Sequence, residues 1–275
     1  MIRLIATDVD GTLMPPGGAV PAENRAALRE AAARGVLVAL ATVRFRPSAL
    51  RVVEALEIPC SLVCQGGATV YDPGGRLLHE TVIPLDLARE VAAYADEHGV
   101  GLLTTIDGEH RFGPGYVYGL PGLPPPPPPL RTNAEALTKA PTRFMATGAR
   151  SVDLLRERFA GAPLRIVRHF RPDGSVVDCA LTHASASKEA GLAALCAGLG
   201  IGLDEVLAAG DAEADVGMLR AAGVGVAVAN APGEVRAAAD WVAPAAADGG
   251  LAAAVRRFVL DGGGPAGGTA GPAKG

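Results

Sequence analysis

The sequence predicts an α/β protein, a doubly wound, Rossmann-like parallel sheet core with an inserted α+β cap. Three observations predict it. At both ends of the chain, short and nearly continuous apolar runs alternate with amphipathic stretches, the pattern of a parallel sheet covered on both faces. Between about Thr81 and Thr182 the rhythm changes to strand-like alternation with two helical stretches. Acidic residues also stand directly after two of the apolar runs, at the carboxyl strand ends where open α/β sheets bind ligands.

The elements follow in order. Arg3–Thr7 reads as a buried strand. Pro21 opens a helix that runs through Arg34, and Gly35 stops it, the usual placement of Pro first and Gly last. Val36–Ala41 is the next strand, Pro47–Leu56 a helix and Ser61–Cys64 a third strand. In the insert, Leu85–His98 and Val152–Phe159 read as helices, and Arg143–Thr147, Leu164–His169 and Val176–Leu181 as strands. The first pattern then resumes: helix Ser187–Leu199, strand Glu205–Ala209, helix Ala214–Ala222, strand Val224–Val228, helix Pro232–Ala239, strand Trp241–Val242 and helix Leu251–Leu260. The expected organisation is a core of residues 1–82 and 184–261, a cap of residues 83–183 and a disordered Gly/Pro/Ala tail over 262–275. Pro124–Pro129 cannot donate backbone hydrogen bonds and is expected to form a polyproline II loop within the cap.

Composition narrows the functional classes. The 275 residues carry 25 Lys and Arg against 29 Asp and Glu, a net charge of −4. Such a chain has no general electrostatic pull toward nucleic acid or an anionic membrane. Hydrophobic residues at 49% exclude global disorder, and aromatics at 4% leave the core to Ala, Val and Leu. Apolar stretches such as Val36–Val43 fall far short of the roughly 20 residues that span a bilayer. MIRLIATDVDG does not read as a signal peptide, because two aspartates stand where a cleavage site would be. Cys60, Cys64, Cys179 and Cys196 form no CxxC pair and are expected as buried thiols. Together these features predict a cytoplasmic protein without a nucleic-acid or membrane partner; they specify no oligomeric state.

The chemistry concentrates at strand ends. Asp8 and Asp10, in Asp8-Val9-Asp10-Gly11-Thr12-Leu13, flank one residue after the first strand. Two close carboxylates suit a hard divalent cation, and they also suit a division between nucleophile and general acid/base. Asp211 and Asp215 follow the strand Glu205–Ala209, Thr42 follows the second strand with Val43 and Arg44 behind it, and Lys188 opens a helix. An anion bound among four acids needs the metal and Lys188 to offset repulsion. Other readings stand beside these: Asp215 as a helix N-cap, and Arg44 as a partner in a surface ion pair. In the insert, Arg143, Arg168, His169 and Arg171 read first as surface residues and second as contacts for the far end of a substrate.

Taken together, these segments resemble the haloacid dehalogenase superfamily, in its Cof-type sugar-phosphatase branch with a large cap, over about residues 1–260. DVDGTL resembles the family's first motif, ATVR (Ala41–Arg44) its ATGR, SKEAGLAAL (Ser187–Leu195) its SKGxAL, and GDAEADVGML (Gly210–Leu219) its GDxxNDxxML. GVGVAVANA (Gly223–Ala231) resembles its final stretch. The resemblance implies a phosphoric monoester hydrolase acting on a small phosphorylated metabolite, with a sugar phosphate foremost. It implies Asp8 as nucleophile and Asp10 as general acid and then base. It implies Mg2+ held by Asp8, the Asp10 carbonyl and Asp211 with Asp215 in support, and phosphoryl oxygens held by Thr42 and Lys188, with Val43 and Arg44 as further substrate contacts. Four positions depart from the family pattern: Val43, Ala214 and Glu189 replace Gly, Asn and Gly, and Gln65-Gly66-Gly67 replaces an Asn-Gly. They leave open a glycosylated-metabolite phosphatase or a phosphomutase-like enzyme, and a catalytically weak binding protein on the same fold.

Overall fold

A computed structural model describes residues 1–117, 128–171 and 173–262. The expected polyproline run therefore lies outside the described residues except for Pro128 and Pro129, and the expected tail lies outside them except for Gly262. The chain divides into two compact units, Met1–His79 with Ser187–Gly275, and Glu80–Ala186.

The first unit is built on an eight-stranded sheet. Its strands are β1 (Leu4–Thr7), β2 (Leu37–Ala41), β3 (Ser61–Cys64), β4 (Thr69–Tyr71), β5 (Leu77–Glu80), β11 (Val206–Gly210), β12 (Val224–Val228) and β13 (Trp241–Ala243), in the order β13-β12-β11-β1-β2-β3-β4-β5. From β13 to β3 all neighbours are parallel; β4 folds back antiparallel on β3. The central strands are apolar at nearly every position, with the buried Thr7 and Ser61 as exceptions, because helices cover both faces. Side chains alternate between those faces along a strand. Ile5, Leu40, Leu207 and Val226 pack with Leu28, Val52 and Leu251 of helices α1 (Ala22–Ala33), α2 (Arg46–Leu56) and α8 (Gly250–Val255). Leu4, Ala6, Ala39 and Ala208 pack with Leu192, Leu195, Met218 and Val235 of α5 (Lys188–Leu199), α6 (Val216–Ala221) and α7 (Gly233–Ala237). The many Ala positions let these helices lie close to the sheet.

The second unit is a five-stranded sheet of β6 (Leu102–Ile106), β7 (Glu109–Phe112), β8 (Arg143–Thr147), β9 (Leu164–Phe170) and β10 (Val176–His183), in the order β7-β6-β8-β10-β9, antiparallel throughout. Helices α3 (Leu85–Glu97) and α4 (Ala149–Arg158) pack Val91, Ala95, Val152 and Leu155 against Leu102, Phe144, Cys179 and Leu181. The four cysteines are free and buried, and burial pushes the thiols of Cys60, Cys64 and Cys179 up to about 12. Among the described residues no helix is long and apolar enough to cross a membrane.

Four strands were not legible in the sequence. β4 and β5 are three and four residues long. β7, Glu109–Phe112, has no apolar alternation, and β6, Leu102–Ile106, is buried at all five positions and so carries no period of two. The helix expected over Ala214–Ala222 begins as a 3-10 turn, Glu213–Asp215, before α6. The helix expected over Leu251–Leu260 is α to Val255 and then a π turn, Arg256–Leu260.

Phe144 is fully buried at the centre of the second core. Phe144→Ala is expected to lower the free energy of urea unfolding by about 3–5 kcal/mol, the usual result for truncating a buried aromatic side chain. A loss below about 1 kcal/mol would contradict this packing.

Candidate active site

Three adjacent strands end at one edge. β1 lies between β11 and β2, with Thr7 level with Ala209 on one side and Leu40 on the other. Asp8 therefore leaves β1 beside Asp211, the residue after β11, and Thr42, the residue after β2. Helix α5 brings Lys188 to the same edge as its first residue, with the Ser187 hydroxyl accepting a hydrogen bond from the Ala190 amide at 3.0 Å as N-cap. Two glycines permit the close approach. A Cβ on Gly67 (φ 101°) would stand 1.9 Å from the Ser187 carbonyl oxygen, so the loop after β3 can lie against the start of α5. A Cβ on Gly11 (φ 97°) would stand 2.3 Å from Asp211 Oδ2.

The centre of the cluster is a buried cation. Lys188 Nζ donates to Asp8 Oδ1 at 2.5 Å and to Asp215 Oδ1 at 2.6 Å. Lys188 is buried, and so are both carboxylates. Asp215 Oδ2 accepts from the backbone amides of Asp211 (3.0 Å) and Ala212 (2.9 Å), so Asp215 caps its own turn and also joins the cluster. Thr12 Oγ1 donates to Asp211 Oδ1 at 2.6 Å. One oxygen from each of Asp8, Asp211 and Asp215 lies within 4.8 Å of the others. Burial, together with the charges of Asp215 and Asp211, raises the Asp8 carboxyl to about 7 against the opposing pull of Lys188. Burial also raises Asp211. Burial opposes the charge on Lys188, but the two facing carboxylates win and hold its ammonium above its ordinary value.

Asp10 points into a different pair. Arg44 Nε donates to Asp10 Oδ2 at 2.7 Å and Arg44 Nη2 to Asp10 Oδ1 at 2.6 Å, a two-pronged contact. This hydrogen bonding to Asp10 raises the Arg44 guanidinium further. Thr42 is fully buried, and its hydroxyl accepts from the Arg44 amide at 3.1 Å. Val43 lies at the surface. The structure thus brings Asp8, Asp211, Asp215 and Lys188 into one group, with Asp10, Arg44 and Thr42 in a second.

Gln65 adopts φ 54°, the left-handed conformation in which Asn is the commoner residue, and so fills the Asn position with a longer amide. Ala214 and Glu189 are exposed. In the second unit Arg143 is buried rather than at the surface, and burial lowers it to about 10. His169 pairs with Asp178 at 2.5 Å.

Sequence reasoning missed the supports. Asn230 donates to the Gly11 carbonyl (2.9 Å) and accepts from the Ala246 amide (2.9 Å). Asn24, fully buried, donates to the Leu13 carbonyl (2.8 Å) and accepts from the Ala252 amide (2.8 Å). Each ties the loop after β1 to the C-terminal segment. An asparagine on the apolar side of a helix, as Asn24 is, was the available signal.

The hard donor set suits a small divalent cation: three clustered carboxylates bring more negative charge than the one ammonium among them offsets. The same balance yields a prediction for Lys188→Met. Without the cation, the Asp8 carboxyl rises further, and a carboxyl raised in the folded state costs stability as pH climbs. The variant is expected to lose about 3–5 kcal/mol near pH 8 and clearly less near pH 5, where the carboxyls take up protons. Melting temperatures at the two pH values check this; an equal loss at both would contradict it.

The chain matches the haloacid dehalogenase-like hydrolase family over residues 5–111 and 134–255. A 5-amino-6-(5-phospho-D-ribitylamino)uracil phosphatase of Bacillus subtilis is 27% identical over 259 residues, 94% of this chain and 96% of its own. A phosphoglycolate phosphatase of Methanothermobacter thermautotrophicus is 30% identical over 261 residues, 94% of this chain and 99% of its own. Among solved structures, a haloacid dehalogenase-like hydrolase from Bacteroides thetaiotaomicron superposes with a TM-score of 0.78 at 21% identity, covering 94% of this chain and 100% of that one. With both halves of the core and much of the insert matched, the chain belongs to the haloacid dehalogenase-like hydrolase family.

Proposed function

We propose that the protein is a magnesium-dependent phosphatase that hydrolyses a small phosphorylated metabolite, with a sugar phosphate foremost, through an aspartyl-phosphate on Asp8. The observation that carries this reading is the buried Asp8 carboxylate, held 2.5 Å from Lys188 within a group of three carboxylates. The names of the two relatives, phosphatases of a phospho-ribitylamino uracil and of phosphoglycolate, support a small phosphate monoester as substrate.

In the proposed reaction an Asp8 oxygen attacks phosphorus as the bond from phosphorus to the ester oxygen breaks. A proton passes from the Asp10 carboxyl to the departing alcohol. Water then attacks the aspartyl-phosphate while Asp10 takes its proton. The Asp8–phosphorus bond breaks, and inorganic phosphate leaves with both aspartates restored. The Lys188 ammonium and the Thr42 hydroxyl hold the phosphoryl oxygens, so the work is positioning and charge neutralisation. The carboxylates of Asp8, Asp211 and Asp215 and the Asp10 carbonyl would hold Mg2+, which supplies positive charge against the repulsion between the carboxylates and the phosphoryl group.

Two outcomes are expected. Asp8→Asn keeps the fold and lowers kcat by a factor of about 1,000 or more, because an amide is a poor nucleophile and one charge is lost from the group; circular dichroism and steady-state kinetics check it, and turnover within tenfold of wild type would overturn the mechanism. Mg2+ is expected to raise the melting temperature more near pH 8 than near pH 5.5. With Asp8 held at about 7, the ion must displace a proton at the lower pH. An equal rise at both would contradict the assignment of Asp8 as a ligand.

A further inference from the structure

We infer that Arg44 is the positioning residue of the Asp10 carboxylate, fixing the plane from which Asp10 serves the departing alcohol. The inference rests on the reading of Asp10 as the group that protonates that alcohol. Asp10 has a side chain 40% exposed, on which a carboxylate would ordinarily sample several rotamers. Its backbone is held: Asp10 bridges to Met14, the Gly11 amide donates to the Met14 carbonyl at 2.8 Å, and the Leu13 amide donates to the Asp8 carbonyl at 3.2 Å. The remaining freedom is in the side chain, and Arg44 removes it by meeting both oxygens, at 2.7 and 2.6 Å.

Arg44 can do this because its own backbone is anchored. Its amide donates to the buried Thr42 hydroxyl at 3.1 Å, and its carbonyl accepts from the Gln65 amide at 3.0 Å. Thr42 is itself tied down, its amide donating to the Val63 carbonyl at 2.8 Å and its carbonyl accepting from the Gly66 amide at 2.9 Å. The guanidinium therefore projects from a segment fixed to the neighbouring strand and its loop. A planar fork that meets two carboxylate oxygens sets an orientation; an ammonium at the same place would supply charge without the plane. The neighbouring position, Val43, needs no glycine for this arrangement, since the anchoring bonds run through Thr42 and Arg44.

The test separates orientation of Asp10 from general damage. Single-turnover release of alcohol is measured with enzyme in excess and Mg2+ present, from glycerol 2-phosphate and from p-nitrophenyl phosphate. The first releases a strongly basic alkoxide that needs a proton; the second releases a weakly basic phenolate that needs little. Arg44→Met is expected to slow the alkyl ester at least about tenfold more than the aryl ester, within the range that positioned proton transfer contributes. Arg44→Lys is expected to fall between Met and wild type. Asp10→Asn, run in parallel, is expected to show the same disparity in larger form. If Asp10→Asn shows the disparity and Arg44→Met slows both esters equally or neither, the role of Arg44 is overturned while that of Asp10 stands. If Asp10→Asn shows no disparity, or the wild type releases neither alcohol, the underlying reading fails and the inference falls with it.

Discussion

The site depends on one buried ammonium. Lys188 joins Asp8, 180 residues earlier in the chain, to Asp215, 27 residues later. One buried ammonium meets two buried carboxylates, so each ionised group is tolerable only because the others are present. The pairing forces the end of β1, the start of α5 and the turn after β11 to a common point. Asp215 carries the constraint further, because its second oxygen accepts the amides of Asp211 and Ala212 and so shapes the loop that presents Asp211. Thr12 and Asn230 then brace Asp211 and Gly11 from the other side. An α/β sheet offers such an edge to any chemistry; here the buried lysine specifies which residues occupy it.

The balance of charge connects structure to the proposed chemistry. Asp8, Asp10, Asp211 and Asp215 face Lys188 and Arg44, so the carboxylates outnumber the cations. Burial first, and the neighbouring carboxylates second, raise the Asp8 and Asp211 carboxyls. A divalent cation on Asp8, Asp211 and Asp215 would offset the excess negative charge and make room for a phosphoryl dianion. The two cations differ in task. Lys188 is a compact charge enclosed among carboxylates, whereas Arg44 is a planar fork at a more open position that meets one carboxylate with two hydrogen bonds. Separate partners give Asp8 and Asp10, two residues apart, the different surroundings that the proposed division of roles requires.

Much of this was legible in the sequence, for physical reasons. Buried parallel strands are apolar at nearly every position, so β1, β2, β3, β11 and β12 stand out. Pro and Gly marked the ends of α1. Acidic residues directly after strands announce a ligand edge, which made Asp8, Asp10, Asp211 and Asp215 visible. Lys188 was visible as a helix-opening cation beside them, but its complete burial between two carboxylates was not, because burial is decided by residues distant in the chain. Arg44 was legible only as a choice between substrate contact and ion pair; the structure makes it an ion pair whose partner is Asp10. β6 and β7 were hidden because one is buried at every position, threonines included, and the other has no apolar face. Asn230 was hidden because its partners are backbone groups, which no sequence pattern records; Asn24 was signalled only by its place among the apolar positions of α1.

The proposed chemistry turns on a covalent bond between Asp8 and phosphorus. The most direct measurement is rapid-quench mass spectrometry during turnover of p-nitrophenyl phosphate with Mg2+, quenching in acid and digesting the protein. A fraction of the peptide containing Asp8 is expected to be heavier by one phosphoryl group, with that group on Asp8 and absent from the Asp8→Asn variant. Turnover that proceeds with no phosphorylated peptide at any quench time, or with the phosphoryl group on another residue, would contradict the proposed chemistry.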